Sequence, residues 1–282
     1  MRMVETNGVQ LATESFGSAN DPAILLIMGA ATSMLGWPER FCENLAGRGF
    51  FVVRFDHRDT GQSTTLPPGQ ANYFAEDLAA DVVGILNAYR LEQVALMGMS
   101  LGGYIAQMIA LEHPERVRSL ILLASEPLGW DGPSLPHIPE EFFEHFGTLE
   151  SLDWSDRGEV IRFLERIAEM SSGSGQNLDG EQVRTRIEQV LARTGSPASM
   201  FNHASMTARE DWTGRFREIV HPVLVIHGED DPLLPVENGQ AIAAGIDGAE
   251  IHVVSGMGHE LPNSRLATIA DLVAGHSRQL VE

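Results

Sequence analysis

Cysteine is almost absent from the sequence: Cys42 is the only one among 282 residues. A single thiol cannot form a disulfide within the chain and cannot build a thiolate metal site, so both are excluded. The ten histidines form neither an H-x-x-x-H pair on a predicted helix nor a close cluster with carboxylates, so we expect no metal and no cofactor. The chain must fold around an apolar core, for which 43% hydrophobic residues are sufficient.

Positive charge and long apolar runs are also scarce. Nineteen Lys and Arg oppose thirty-nine Asp and Glu, which gives a formal net charge of −20. Such a surface repels nucleic-acid phosphates and anionic lipid headgroups, so we expect neither as a partner. The longest apolar stretch, residues 23–31, is much shorter than the ~20 residues that span a bilayer. The first residues lack the apolar core of a signal peptide. We therefore expect a cytoplasmic protein and leave its oligomeric state open.

The two ends of the sequence alternate short apolar runs with helical periodicity. This alternation is typical of a mostly parallel sheet that is covered by helices, the α/β class. Apolar runs predict strands at residues 23–28, 51–55, 93–97, 117–124, 223–227 and 250–254. A helix is predicted between the second and third of these, because apolar residues recur on one helical face at Leu78, Val82, Ile85, Leu86 and Tyr89.

The pattern changes between residues 126 and 219, where helical patches and turn-rich joints replace the strands. Helices inserted between two strands of a parallel sheet are expected to cover the carboxyl ends of the strands, where ligands bind in open α/β sheets. We therefore expect a core of residues 1–125 and 220–282 with a helical lid of residues 126–219. The one short low-complexity run, Ser-Ser-Gly-Ser-Gly at residues 171–175, lies inside this lid.

A nucleophile motif follows the third predicted strand. Residues 98–102 read Gly-Met-Ser-Leu-Gly and open a helical pattern, which is the strand–turn–helix context that a G-x-S-x-G serine requires. The tight turn predicts that the hydroxyl of Ser100 stands above the sheet. The helix that follows would offer free N–H groups to a developing oxyanion.

A serine nucleophile needs a base, and the base needs an orienting carboxylate. Asp231 follows the strand at 223–227 and His259 follows the strand at 250–254, so the order Ser100, Asp231, His259 matches the chain order of such a triad on this type of sheet. Asp230 and Glu126 are the alternative carboxylates, because each also follows a predicted strand.

These residues resemble the α/β-hydrolase superfamily over nearly the whole chain. Narrower stretches, at residues 27–30, 36–38 and 54–64, are similar to the aclacinomycin methylesterase group and to serine esterases that open macrolide lactones. The resemblance implies an oxyanion hole made by the backbone N–H groups of Ala30 and Leu101. One departure is Met28-Gly29, where many members of the superfamily have His-Gly; the methylesterase group has Met-Gly as well.

The resemblance and the motifs together predict a serine-dependent hydrolase of a carboxylic ester. Its expected partner is a small hydrophobic molecule, such as a macrolide lactone or an anthracycline methyl ester. Simple short-chain esters are an alternative substrate, and a perhydrolase or a carbon–carbon bond hydrolase would use the same triad. A ligand receptor that keeps the triad but turns over slowly is an alternative of a different class.

Aromatic residues offer candidate substrate contacts. Trp37 either faces the pocket or caps the first helix, and Phe142, Phe143 and Phe146 either line the pocket or form the core of the lid. The run His57-Arg58-Asp59 is interpreted as a brace for the loop after its strand, with Asp56 and Arg58 paired locally.

Overall fold

The structure, a computed structural model, describes residues 1–175 and 179–278. These residues form one eight-stranded sheet in the spatial order β1-β2-β4-β3-β5-β6-β7-β8. The first two junctions are antiparallel and the remaining strands, from β4 to β8, are parallel. The strands are β1 (Arg2–Thr6), β2 (Val9–Phe16), β3 (Ala23–Ile27), β4 (Phe51–Phe55), β5 (Val94–Met99), β6 (Val117–Leu123), β7 (Val223–Gly228) and β8 (Glu250–Val254).

Helices connect the parallel strands and cover the sheet, which confirms the predicted α/β fold. They are α1 (Glu39–Ala46), α2 (Ala75–Tyr89), α3 (Leu101–Glu112), α4 (Glu140–Gly147), α5 (Arg157–Ser171), α6 (Gly180–Arg193), α7 (Glu237–Gly245) and α8 (Leu266–Arg278). All six predicted strands are present with ends that differ by at most two residues. The prediction lacks β1 and β2, the hairpin at the antiparallel edge.

The core lies on both faces of the sheet, because successive residues of a strand point to opposite sides. In β3, Leu25 and Ile27 pack into the cluster that contains the buried faces of α2 and α3, whereas Ile24 and Leu26 pack into the cluster with α1 and α8. All four side chains are fully buried, and burial of such a residue contributes about 1.5–3 kcal/mol. This two-sided burial explains why the parallel strands are continuous apolar runs.

The segment between β6 and β7 contains α4, α5, α6 and short 3-10 helices, and its described residues include no strand. Helices α5 and α6 have a small core of their own, formed by Val160, Ile161, Val183, Ile187 and Leu191. The function of this segment as a lid stays a prediction. No helix among the described residues is long and apolar enough to cross a membrane.

Candidate active site

Ser100 lies in the turn between β5 and α3 on a backbone that non-glycine residues rarely adopt. Its φ is +52° and its ψ is −122°, a type of conformation that costs on the order of 1–3 kcal/mol. Hydrogen bonds hold the turn: the Ser100 amide donates to the carbonyl of Leu123 at 3.0 Å, and Ser125 Oγ donates to the carbonyl of Ser100 at 2.9 Å. Backbone strain that the surroundings maintain at a serine favours a functional position.

The glycines two residues on either side of Ser100 permit this turn. A Cβ at Gly98 would overlap the backbone of Gly102, and a Cβ at Gly102 would overlap the carbonyl oxygen of Ile27 in β3. The strand β5, the helix α3 and the strand β3 therefore approach one another too closely here for a larger residue.

The two amides predicted to bind an oxyanion lie beside Ser100. Leu101 begins α3, so its N–H has no acceptor within the helix. The loop after β3 passes close to the serine, since a Cβ added to Gly29 would lie 3.3 Å from Ser100 Cβ and 3.8 Å from Ser100 Oγ. Ala30 follows Gly29 and is exposed. Both amides are thus at the same edge of the sheet as the hydroxyl, and their role stays a prediction.

His259 and Asp231 form the best-defined polar contact of the site. His259 Nδ1 and Asp231 Oδ2 are 2.8 Å apart. The other carboxylate oxygen, Asp231 Oδ1, accepts the amides of Leu233 at 3.0 Å and Leu234 at 2.9 Å. With both oxygens fixed and only 4% of the residue exposed, Asp231 can hold His259 Nδ1 in its protonated form and in one ring orientation.

The surroundings of Asp231 keep it ionised. Burial by itself would raise the pKa of this carboxyl, but the adjacent His259 with its hydrogen bond, the nearby His227 and the hydrogen bond from the Leu234 amide outweigh burial and hold the pKa well below its usual range. His227, at the end of β7, donates from Nε2 to the carbonyl of Leu234 at 2.7 Å and lies 3.5 Å from Asp231 Oδ2. A carboxylate that is ionised at neutral pH is the form that stabilises an imidazolium ion.

The two alternative carboxylates have other partners. Asp230 Oδ2 accepts the amide of Ser174 at 3.1 Å, and Glu126 Oε2 lies 3.1 Å from His137 Nε2. Neither makes a hydrogen bond to His259 in the part of the chain that the structure describes. These contacts favour Asp231 as the partner of His259.

The loops that carry Ser100, Asp231 and His259 share one edge of the sheet, because β5 to β8 are parallel and the loops follow β5, β7 and β8. No hydrogen bond joins Ser100 Oγ to His259 within residues 1–175 and 179–278. Such contacts are often long without substrate and shorten when substrate binds. The serine–histidine link of the triad therefore stays a prediction.

The predicted aromatic contacts lie in different environments. Trp37 is fully buried and stacks on Phe41 with ring centroids 5.8 Å apart, which favours a core role. Phe142 is buried and packs on Phe146 at 6.2 Å, whereas Phe143 is 60% exposed. The substrate contacts assigned to these four residues stay predictions.

The local pairing predicted for Asp56 and Arg58 is wrong. Asp56 forms an ion pair with Arg193 of α6 at 2.9 Å, and Arg58 forms one with Asp81 of α2 at 2.6 Å. Each of the two residues therefore joins the loop after β4 to a separate helix, α6 for Asp56 and α2 for Arg58.

Sequence reasoning missed His203, which lies in the 3-10 helix Pro197–Ser205 and accepts a hydrogen bond from the Ala31 amide. The two residues are separated by 172 positions, and no short motif marks such a pair. Among the described residues, no group of three or more His, Cys, Asp and Glu side chains is arranged to hold a metal ion.

Comparison with known proteins identifies the family to which the chain is similar. The model of the alpha/beta hydrolase fold family matches residues 22–262. A rhodomycin D methylesterase, DauP of Streptomyces sp. (strain C5), is 29% identical to the chain, and the alignment covers 98% of each protein.

Two further proteins that are similar to the chain have other activities in their names. A 2-hydroxymuconate semialdehyde hydrolase of Pseudomonas sp. (strain CF600) is 32% identical over 73% of this chain and 69% of its own length. The solved structure of Est816, described as an N-acyl homoserine lactone degrading enzyme, superposes with a TM-score of 0.74 at 25% identity and covers 97% of this chain and 99% of its own.

Proposed function

The chain belongs to the α/β-hydrolase fold family, and from this premise we propose that it hydrolyses a carboxylic ester with Ser100 as nucleophile, His259 as base and Asp231 as the orienting carboxylate. The observation that carries the proposal is the 2.8 Å contact between His259 Nδ1 and Asp231 Oδ2 at the sheet edge where the strained Ser100 lies. The similarity to a rhodomycin D methylesterase over 98% of each chain also supports ester hydrolysis.

The geometry supports a two-step mechanism. Ser100 Oγ attacks the ester carbonyl while His259 Nε2 takes its proton, and the ionised Asp231 stabilises the imidazolium ion that forms. The N–H groups of Ala30 and Leu101 donate to the tetrahedral oxyanion. His259 then protonates the leaving alkoxide. In the second step a water molecule, activated by the same histidine, releases the acid and regenerates Ser100.

We propose a bulky polyketide-type ester or lactone as the substrate. The full-length similarity to a rhodomycin D methylesterase supports a methyl ester of this kind, and the lactone-degrading neighbour supports ring opening as the alternative. In this proposal the segment between β6 and β7 covers the substrate, and α4 offers it the exposed Phe143 and the half-buried Phe146.

Mass spectrometry of the products tests this function. The purified protein is incubated with a panel of macrolides, an anthracycline methyl ester and p-nitrophenyl esters. A macrolide that gains one water indicates lactone opening, and an anthracycline that loses one methylene indicates methyl-ester cleavage.

The controls for this experiment are Ser100→Ala and Ser18→Ala, the latter at an exposed serine far along the chain from the motif. We expect Ser100→Ala to abolish every conversion and Ser18→Ala to leave each one unchanged. Persistent turnover by Ser100→Ala would overturn the mechanism. Cleavage of the aryl esters alone would overturn the bulky substrate but not the mechanism.

Carbon–carbon bond hydrolysis is the second candidate, because a 2-hydroxymuconate semialdehyde hydrolase is 32% identical over 73% of the chain. Adding 2-hydroxymuconate semialdehyde to the same panel separates ester hydrolysis from carbon–carbon bond hydrolysis. Faster conversion of this compound than of any ester, again abolished in Ser100→Ala, would favour the second candidate.

A further inference from the structure

Two histidines hold the loop after β3, one on each side of Ala30. His57 Nε2 lies 3.0 Å from the carbonyl oxygen of Met28, and the amide of Ala31 donates to His203 Nδ1 at 3.1 Å. Both rings are buried, with exposed fractions of 1% for His57 and 5% for His203. His57 comes from the core, directly after β4, whereas His203 comes from the segment between β6 and β7.

These two contacts fix the peptide planes that flank the proposed oxyanion donor. A peptide bond is planar, so the bond to the carbonyl of Met28 orients the plane that joins it to Gly29, and the bond from the Ala31 amide orients the plane that joins Ala30 to Ala31. A hydrogen bond from Thr32 Oγ1 to the carbonyl of Ala30, at 3.1 Å, holds the second plane further. The peptide between these planes carries the Ala30 N–H.

The loop depends on these contacts because its own backbone is unfavourable. Ala31 has a φ of +54°, in the left-handed region that residues with a Cβ rarely adopt. The local chain would relax from this conformation unless the surrounding structure held it. The hydrogen bond to His203 is made at Ala31 itself and opposes that relaxation directly.

The partners of His203 define its protonation. The amide of Ala31 can only donate, so Nδ1 must be an acceptor, and the carbonyl of Arg58, 2.9 Å from Nε2, can only accept, so Nε2 must carry the proton. The neighbouring Asn202 anchors this 3-10 helix by donating to Asp59 Oδ2 at 3.0 Å and accepting from the Gly69 amide at 2.7 Å. The hydrogen bond at Nε2 and the two hydrogen bonds of Asn202 therefore hold His203 Nδ1 in place.

We propose that His203 is a positioning residue that sets the Ala30 N–H for the oxyanion. The oxyanion hole is then complete only when the 3-10 helix Pro197–Ser205 is docked on the loop after β3, which makes the inserted segment part of the catalytic apparatus. This inference rests on the proposed function, because it concerns the oxyanion of the same ester hydrolysis.

A pair of substitutions separates the two hydrogen bonds of His203. Asn places its Oδ1 where histidine has Nδ1, so His203→Asn keeps an acceptor for the Ala31 amide and loses the bond to Arg58. Gln places its Nε2 where histidine has Nε2, so His203→Gln keeps the bond to Arg58 and loses the acceptor. The matched control is His221→Gln, because His221 also contacts a backbone carbonyl, that of Pro114 at 2.9 Å, but lies before β7 at the opposite edge of the sheet.

The readouts are kcat and KM for p-nitrophenyl butyrate and the rate of labelling of Ser100 by an alkyl fluorophosphonate. The final extent of labelling counts the folded active sites, so kcat is expressed per site even if a variant is less stable. We expect His203→Gln to lower kcat and the labelling rate about 10- to 100-fold with little change in KM, since an interaction made only in the transition state is weakened. We expect His203→Asn to rescue kcat to within about fivefold of the wild type, on the same reasoning.

Other outcomes overturn the inference. Equal losses in the Asn and Gln variants would show that His203 acts only through the stability of the loop, and an unchanged kcat in His203→Gln would show that the Ala31 contact has no effect. A parallel assay of Ser100→Ala distinguishes these results from failure of the proposed function. If Ser100→Ala is inactive while His203→Gln is fully active, only the positioning role is wrong; if Ser100→Ala hydrolyses the ester, both are wrong.

Discussion

At the scale of single residues, the candidate site depends on carboxylates that differ in their partners although they are adjacent in sequence. Asp231 accepts three hydrogen bonds, including the one from His259, whereas Asp230 contacts Ser174.

We expect Asp231→Asn to lower kcat about 10³- to 10⁴-fold, because an amide in this position favours the wrong tautomer of the histidine. Steady-state kinetics on an aryl ester measure the effect. The control, Asp230→Asn, is expected to stay within about threefold of the wild type, and a larger loss there than in Asp231→Asn would assign the acid to Asp230.

Short motifs predicted the residues of the site that follow strands, since each is identified by its own neighbours in sequence. Ser100 has flanking glycines, and Asp231 and His259 each follow a strand at the same sheet edge. His203 and Arg193 have no such marker. Their contacts with Ala31 and Asp56 join positions 172 and 137 residues apart, and only the folded chain brings those pairs together.

At the scale of secondary structure, continuous apolar runs predicted the buried parallel strands, but the hairpin of β1 and β2 was missed. Most residues of these two strands are exposed or half-buried, and polar residues interrupt their apolar ones, so the strands contain no such run. The turn itself does carry a sequence signal: Asn7 and Gly8 both have positive φ, 49° and 76°, and Asn-Gly is the preferred pair for a two-residue hairpin turn.

The low-complexity run 171–175 is an element whose importance only the structure shows. It begins at the last residue of α5 and packs against the loop of the candidate base: the His259 amide donates to the carbonyl of Ser171 at 2.8 Å, and the Gly175 amide donates to that of Gly256 at 3.0 Å. A Cβ on Gly173 would overlap backbone atoms of Gly256 and Gly258. The inserted segment therefore contacts the histidine loop through backbone atoms, and small residues are required there.

Gly173→Ala is expected to disturb this junction. The added methyl group forces the two backbones apart, which should lower the free energy of unfolding by about 1–3 kcal/mol and lower kcat, because His259 moves with its loop. Gly180→Ala, at the first residue of α6, is the matched control: a Cβ there meets nothing within 4 Å, so stability should be unchanged or rise by up to about 1 kcal/mol. Urea unfolding and aryl-ester kinetics measure both effects. Equal stability and equal kcat in the two variants would show that the junction tolerates a side chain.

At the scale of the whole molecule, buried neutral histidines link stability to pH. Burial lowers the pKa of His57 to about 3, and burial also lowers the pKa values of His203 and His276. In the unfolded chain a histidine takes up a proton near pH 6.5, whereas these three resist protonation in the folded state. The unfolded state then binds more protons than the folded state, so acid favours unfolding.

The free energy of unfolding is therefore expected to be largest above pH 7 and to fall as the pH drops through 6.5, with the fully buried His57 contributing up to about 1.4 kcal/mol per pH unit. The hydrogen bond with Glu126 raises the pKa of His137, which opposes part of this decrease. Burial raises the pKa values of Asp56 and Glu260, which acts in the opposite sense at lower pH, so the test compares pH 7.5 with pH 5.5. Urea unfolding at both values measures the change.

His57→Gln removes one of the titrating groups and should make the decrease smaller, whereas His252→Gln, at an exposed position of β8, serves as the control. A stability that is constant or rises towards pH 5.5 would contradict this expectation, because the buried rings would then have to accept protons in the folded state.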